Sequence, residues 1–180
     1  TSPRIKYSYQ QLQEKLKGFG KTHIILSSDK LDKVEGSRTP EGFHLFRDDK
    51  GIYYINGFGD SGTLYGALKL IDLVKENGQW PKVLDITEVP DFRLRGPCIG
   101  MQLTSILPGR DTYEYPYTPK NFPFFYDKDQ WIEFLDFLVE NRMNTLYLWN
   151  GHPFASLVKL KDYPYALEVS EEEYQQKEQL

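Results

Sequence analysis

Four residues have the types and the setting to recognise a polar organic ligand: Arg95, Trp149, Asn150 and His152. Three of them stand in "NTLYLWNGHPF", residues 144–154, where strand-like Thr, Leu, Tyr and Leu run straight into aromatic and hydrogen-bonding side chains. An aromatic ring can cover an apolar face of a ligand, while amide, imidazole and guanidinium groups bond its hydroxyls. Arg95, in "FRLRGPCIG", takes the comparable place near the end of the preceding strand. There it can donate paired hydrogen bonds to adjacent hydroxyls or a carboxylate, or else close a salt bridge at the edge of a core. In parallel α/β arrangements, strand ends and the loops after them gather such groups. The plain alternative for the whole stretch is a strand followed by a turn.

Other constellations carry less. Gly57, Gly59 and Gly62 spell G-x-G-x-x-G between a strand and a helix, the spacing that lets a dinucleotide pyrophosphate sit on a helix N-terminus, with Asp85 as a candidate ribose acid. The strand before them belongs to a tight hairpin, however, and Asp60 would set negative charge against a phosphate. Packing of the helix on its sheet is therefore the favoured role for these glycines. Asp129, Glu133, Asp136 and Glu140 are spaced by four, three and four, one stripe of a helix opposite its apolar stripe, which predicts a solvated face. His23, His44 and His152 lie far apart without ligand-spaced partners, and Cys98 is the single cysteine, so neither a metal site nor a disulfide is expected. No cofactor is expected either.

The elements that must position these residues fall into two parts, 1–90 and 91–180. In the first, "YQQLQEKLKGFG" predicts a helix capped by Ser8 with Tyr9, Leu12 and Leu16 inward. "THIILSS" predicts a strand, and "FHLFR" and "IYYINGF" a hairpin about "DDKG". "GDSGTLYGALKLIDLVKENG" predicts a helix capped by Asp60 or Ser61 and stopped by Gly78, and "KVLDITEV" a closing strand. The order describes an α+β layer, an antiparallel or mixed sheet with helices on one side. Beyond Pro90 a strand in "FRLRGPCIG", a long aromatic loop from Met101 to Tyr126, a helix in "DKDQWIEFLDFLVENRM" and the strand "NTLYLW" make a βαβ crossover, with a further helix starting near Ser170. A net charge of −4 argues against nucleic-acid binding, and no apolar run is long enough to span a membrane.

The segments "GDSGTLYGALKLIDLV", "VPDFRLRGPCIGMQ" and "WIEFLDFLVENRMNTLYLWNGHPF" resemble the front end of bacterial glycoside hydrolases of the β-hexosaminidase and α-glucuronidase type, over roughly Gly42 to Tyr165. The resemblance implies an α+β accessory domain of the zincin-like kind followed by the first βαβ units of a (β/α)8 barrel. Gly62, Tyr65 and Gly66 would lie in the accessory helix, Arg95 and Gly96 would mark the first barrel strand, and "NTLYLWNGHPF" the second. Arg95 would grip sugar hydroxyls and Asn150 and His152 would line the sugar pocket. Where hexosaminidases are richer in histidine and end in aspartate, this chain has "WNGHPF". The implied activity is hydrolysis of glycosidic bonds in amino-sugar or uronic-acid glycans, in a periplasmic or secreted setting. A barrel needs about 250 residues, so the chain reads as part of a longer enzyme. The two carboxyl groups such hydrolysis requires are expected outside it, so no catalytic residue is assigned. The rival readings are a non-catalytic carbohydrate-binding or interaction module and a dinucleotide-binding domain on the glycine loop. The expected partners are a carbohydrate, the rest of the barrel and, for the chain by itself, further copies.

Overall fold

A computed structural model of the chain describes residues 2–30, 39–99, 103–107, 110–112, 123–148, 172 and 175. It divides into two compact units, Thr1–Arg93 and Leu94–Leu180.

In the first unit, helix α1 (Pro3–Lys15) starts on Ser2, whose hydroxyl accepts from the Ile5 amide, with Pro3 at the first helical position. Serine as the cap and proline next satisfy the helix start twice over, so the helix begins well ahead of Ser8. Ser8 is buried, its hydroxyl donating to the Arg4 carbonyl at 2.8 Å, whereas Tyr9 is 56% exposed. Leu12 and Leu16 face inward as their spacing predicts.

Strands β1 (Ile24–Ser28), β2 (Phe43–Arg47), β3 (Tyr53–Gly57) and β4 (Asp85–Glu88) form a mixed sheet in the order β1-β3-β2-β4. β1 runs parallel to β3, while β2 is antiparallel to both β3 and β4. The β2–β3 turn is organised by Asp48, which accepts from the Ile52 amide at 2.8 Å and from the Tyr54 hydroxyl. Gly51, at φ 86°, supplies the left-handed residue.

Helix α2 (Asp60–Asn77) is capped by the Gly59 backbone rather than by Asp60 or Ser61, which lie inside its first turn. It ends on Gly78 in the left-handed region, as the sequence predicts. α2 packs on the sheet and α1 packs on α2. Alternation sorts the strand residues: Phe43, Leu45, Tyr53 and Ile55 are buried on the helix side. Leu45, Ile55, Leu70 and Val74 are fully enclosed, each burial contributing about 2 kcal/mol. The opposite face carries a stack of His44, Phe46 and Tyr54, with centroids 4.7 and 4.8 Å apart, and His44 Nε2 lies 2.7 Å from Asp85 Oδ1.

In the second unit, β5 (Cys98–Ile99) and β8 (Tyr147–Leu148) pair in parallel, Cys98 opposite Tyr147, with helix α3 (Lys128–Glu140) between them in sequence. The expected parallel pair is therefore present. Its strands are much shorter among the described residues than "FRLRGPCIG" and "NTLYLW" suggest. Cys98 is exposed and unbonded. The stretch expected to be loop holds an antiparallel pair, β6 (Leu103–Leu107) and β7 (Arg110–Thr112), and a 3-10 turn at Pro123–Tyr126. α3 is capped by Asp127, which accepts from the amides of Asp129 and Gln130. The expected C-terminal helix lies outside the described residues except for Glu172 and Gln175, both helical. No helix among the described residues is long and apolar enough to cross a membrane.

Candidate functional site

The glycine loop is filled by the protein itself. The Gly62 amide donates to the Pro40 carbonyl at 3.0 Å and the Phe58 amide to Gly42 at 2.9 Å. A β-carbon on Gly62 would collide with the Gly42 carbonyl, and one on Gly57 with the backbone and hydroxyl of Thr63. The segment from Pro40 to Gly42 thus sits where a pyrophosphate would have to approach. Asp60 supplies negative charge to the helix start, its carboxyl held below the usual range by side-chain hydrogen bonds from Ser2 and Ser28, against the opposing effect of burial. Asp85 points to the sheet face opposite α2, where it meets His44. The dinucleotide reading fails on these three observations, and the glycines serve close packing.

Arg95 is placed otherwise than expected. The strand proper begins after it, because Pro97 has no amide hydrogen to contribute to the ladder, and Arg95 lies on the N-terminal side of the β5–β8 pair. Its carbonyl accepts from the amides of Asn144 and Thr145, its amide donates to Asn144 Oδ1, and its guanidinium Nε donates to the Arg142 carbonyl at 3.0 Å. Arg142 is in the left-handed region at φ 58°, just past the end of α3, so Arg95 braces an unfavourable turn. Gly96 is needed beside it, since a β-carbon there would strike the Thr145 carbonyl. Trp149, Asn150 and His152 lie outside the described residues. Arg95 stands at the end of the pair away from Leu148, the last residue described before them.

Asp129, Glu133 and Asp136 are exposed and Glu140 is half-buried, a solvated stripe as the spacing predicts. His23 is exposed, its carbonyl accepting from the Tyr53 amide. Among the described residues no group of His, Cys, Asp and Glu could hold a metal.

One feature the sequence does not announce is a largely apolar cleft of about 440 Å³ in the second unit, lined by Ile99, Phe124, Trp131, Phe134 and Phe137, with Gln130 and Glu133 as its polar members. Its volume lies in the range of small-molecule pockets. Trp131 is fixed in it by its indole N–H, which donates to the Phe125 carbonyl at 2.9 Å, and by edge-on contacts with Phe125 and Phe134. The signal lies in the run of rings from Phe122 to Phe137, but periodicity reads such rings as core.

No protein-family model and no curated protein sequence matches the chain. Among solved structures it is similar to a GH138 enzyme targeting pectin rhamnogalacturonan II, at 43% identity and a TM-score of 0.80 over 99% of this chain. The chain spans 27% of the length of that enzyme. A second structure, a GH115 4-O-methyl-α-glucuronidase with specificity for decorated arabinogalactans, has 16% identity and a TM-score of 0.49 over 82% of this chain and 23% of its own. Likeness at that level carries no weight. The first supports reading the chain as part of a glycoside hydrolase that includes an α+β unit of mixed sheet and helices.

Proposed function

We propose that the chain is part of an enzyme that hydrolyses glycosidic bonds in a uronic-acid-containing polysaccharide of the pectin class. The carrying observation is the 43% identity, spread over 99% of the chain, to an enzyme that targets rhamnogalacturonan II. A galacturonan contains uronic acid by its name, which favours the uronic-acid arm of the sequence-based expectation over the amino-sugar arm. Cleavage needs carboxyl groups on both sides of the scissile bond, or one assisted by the substrate. We place these in the portion of the polypeptide that corresponds to the rest of the relative's length. The role proposed for the present residues is to bind and orient. Trp149 would cover a sugar face, and Asn150 and His152 would bond its hydroxyls or carboxylate. Arg95 is not retained in that role, because it stands at the N-terminal end of the β5–β8 pair, away from Leu148, with its Nε donating to the Arg142 carbonyl.

The test is reducing-end release from rhamnogalacturonan II oligosaccharides by the complete polypeptide, beside an N-acetylhexosaminide as control. Release from the pectic substrate alone is expected, with a KM raised about tenfold or more by His152→Ala or Trp149→Ala. Release from the hexosaminide alone would overturn the assignment. Binding without release would instead make the protein a carbohydrate-binding module.

A further inference from the structure

Among the described residues strand β1 is the outermost strand of its sheet, and a cleft of about 480 Å³ lies between it and α1, floored by Leu12, Leu16, Ile24, Leu26 and Trp80. In a parallel pair both backbone groups of alternate residues face the same neighbour. The Tyr53 amide donates to the His23 carbonyl and the Asp29 amide to the Gly57 carbonyl, so His23, Ile25, Ser27 and Asp29 address β3. The N–H and C=O groups of Ile24, Leu26 and Ser28 therefore point outward along the free edge. Among the described residues no backbone group pairs with Ile24 or Leu26 on that side, and their side chains form part of the cleft floor. Edges of this kind are usually blunted by charge or proline, yet β1 reads Ile-Ile-Leu-Ser-Ser. The charged residues among those described that line the cleft are Lys17 and Lys21, and no carboxylate accompanies them.

We propose that the β1 edge is a docking strand for an extended, acidic peptide segment of another protein. The segment adds to the sheet beside β1, seats alternate apolar side chains over Leu16 and Trp80, and sets carboxylates against Lys17 and Lys21. Backbone pairing supplies affinity in such strand addition, and the pockets for alternate side chains supply selectivity.

The probe is a capped octapeptide of alternating valine and glutamate, with a valine–lysine octapeptide as control, read by residue-resolved amide hydrogen exchange of the chain. The Ile24 and Leu26 amides are expected to exchange freely without peptide and to slow at least tenfold with the glutamate peptide alone. The double variant Lys17→Glu/Lys21→Glu, confined to the surface, should transfer the preference to the lysine peptide. Leu26→Pro should abolish protection by the glutamate peptide while the sheet persists, because an outward edge position tolerates proline. Four results would overturn the proposal. They are slow exchange in the free monomer, which assigns the edge to the chain itself; protection that grows with protein concentration, which assigns it to a second copy; equal protection by both peptides; and protection by neither.

Discussion

At the scale of single residues, the chain shows how a side chain with the chemistry of a ligand can be occupied elsewhere. Arg95 has the charge and the fork of donors that suit sugar hydroxyls, but its Nε bonds the carbonyl of Arg142 and its backbone joins Asn144 and Thr145. Replacing it with alanine should lower thermal stability by about 2 kcal/mol, the usual cost of losing a charged hydrogen bond, and leave oligosaccharide affinity unchanged; calorimetry and titration together separate the two. Asp48 is the second case. Its carboxyl is held below the usual range chiefly by the Ile52 amide, with help from the Tyr54 hydroxyl. A carboxyl depressed in the folded state stabilises fully above its unfolded value and loses that contribution as pH falls through the folded one. Asp60 behaves alike. Acid unfolding should therefore steepen below about pH 3.8, the ordinary aspartate value. In Asp48→Asn the acid limb of a pH–melting curve should flatten while the neutral plateau drops.

At the scale of elements, the strands and helices of the first unit are legible from their periods and stops: β3 alternates buried and half-buried residues throughout and β2 over its first four, and α2 carries one broad apolar face bounded by Gly78. The start of α1 is less legible, since Ser8 also has a capping side chain, whereas the helix starts on Ser2 followed by Pro3. Packing is legible in the glycine loop, but not its partner: the Gly42 carbonyl that fills the space beside Gly62 comes from another part of the chain. Gly62→Ala should cost about 1–3 kcal/mol, the overpacking range, measured by urea unfolding. In the second unit the parallel pair followed from chain order. The place of Arg95 did not, because Pro97 shifts the strand past it, and a strand read two or three residues early sends its side chains to the wrong end. Spacing alone could not separate the rings that line the α3 cleft from those that fill a core.

At the scale of the molecule, the two units differ in how they stand without help. The first has an enclosed core of its own, so a fragment of residues 1–93 should keep its helical circular dichroism and melt in one cooperative step. The second leaves Ile132, Leu135 and Phe137 between 45% and 56% exposed on one helix, a surface prone to association. Light scattering should show mass rising with concentration, and Ile132→Glu/Phe137→Glu should suppress the rise. The chain also owns a single thiol, Cys98, exposed on β5 opposite Tyr147. Disulfide coupling has one place to act: two chains can be joined through that sulfur, a third cannot follow, and a non-reducing gel would show a band at twice the mass with nothing above it. The same sulfur would accept one probe, at a known rung of the parallel ladder, with no other position competing for it.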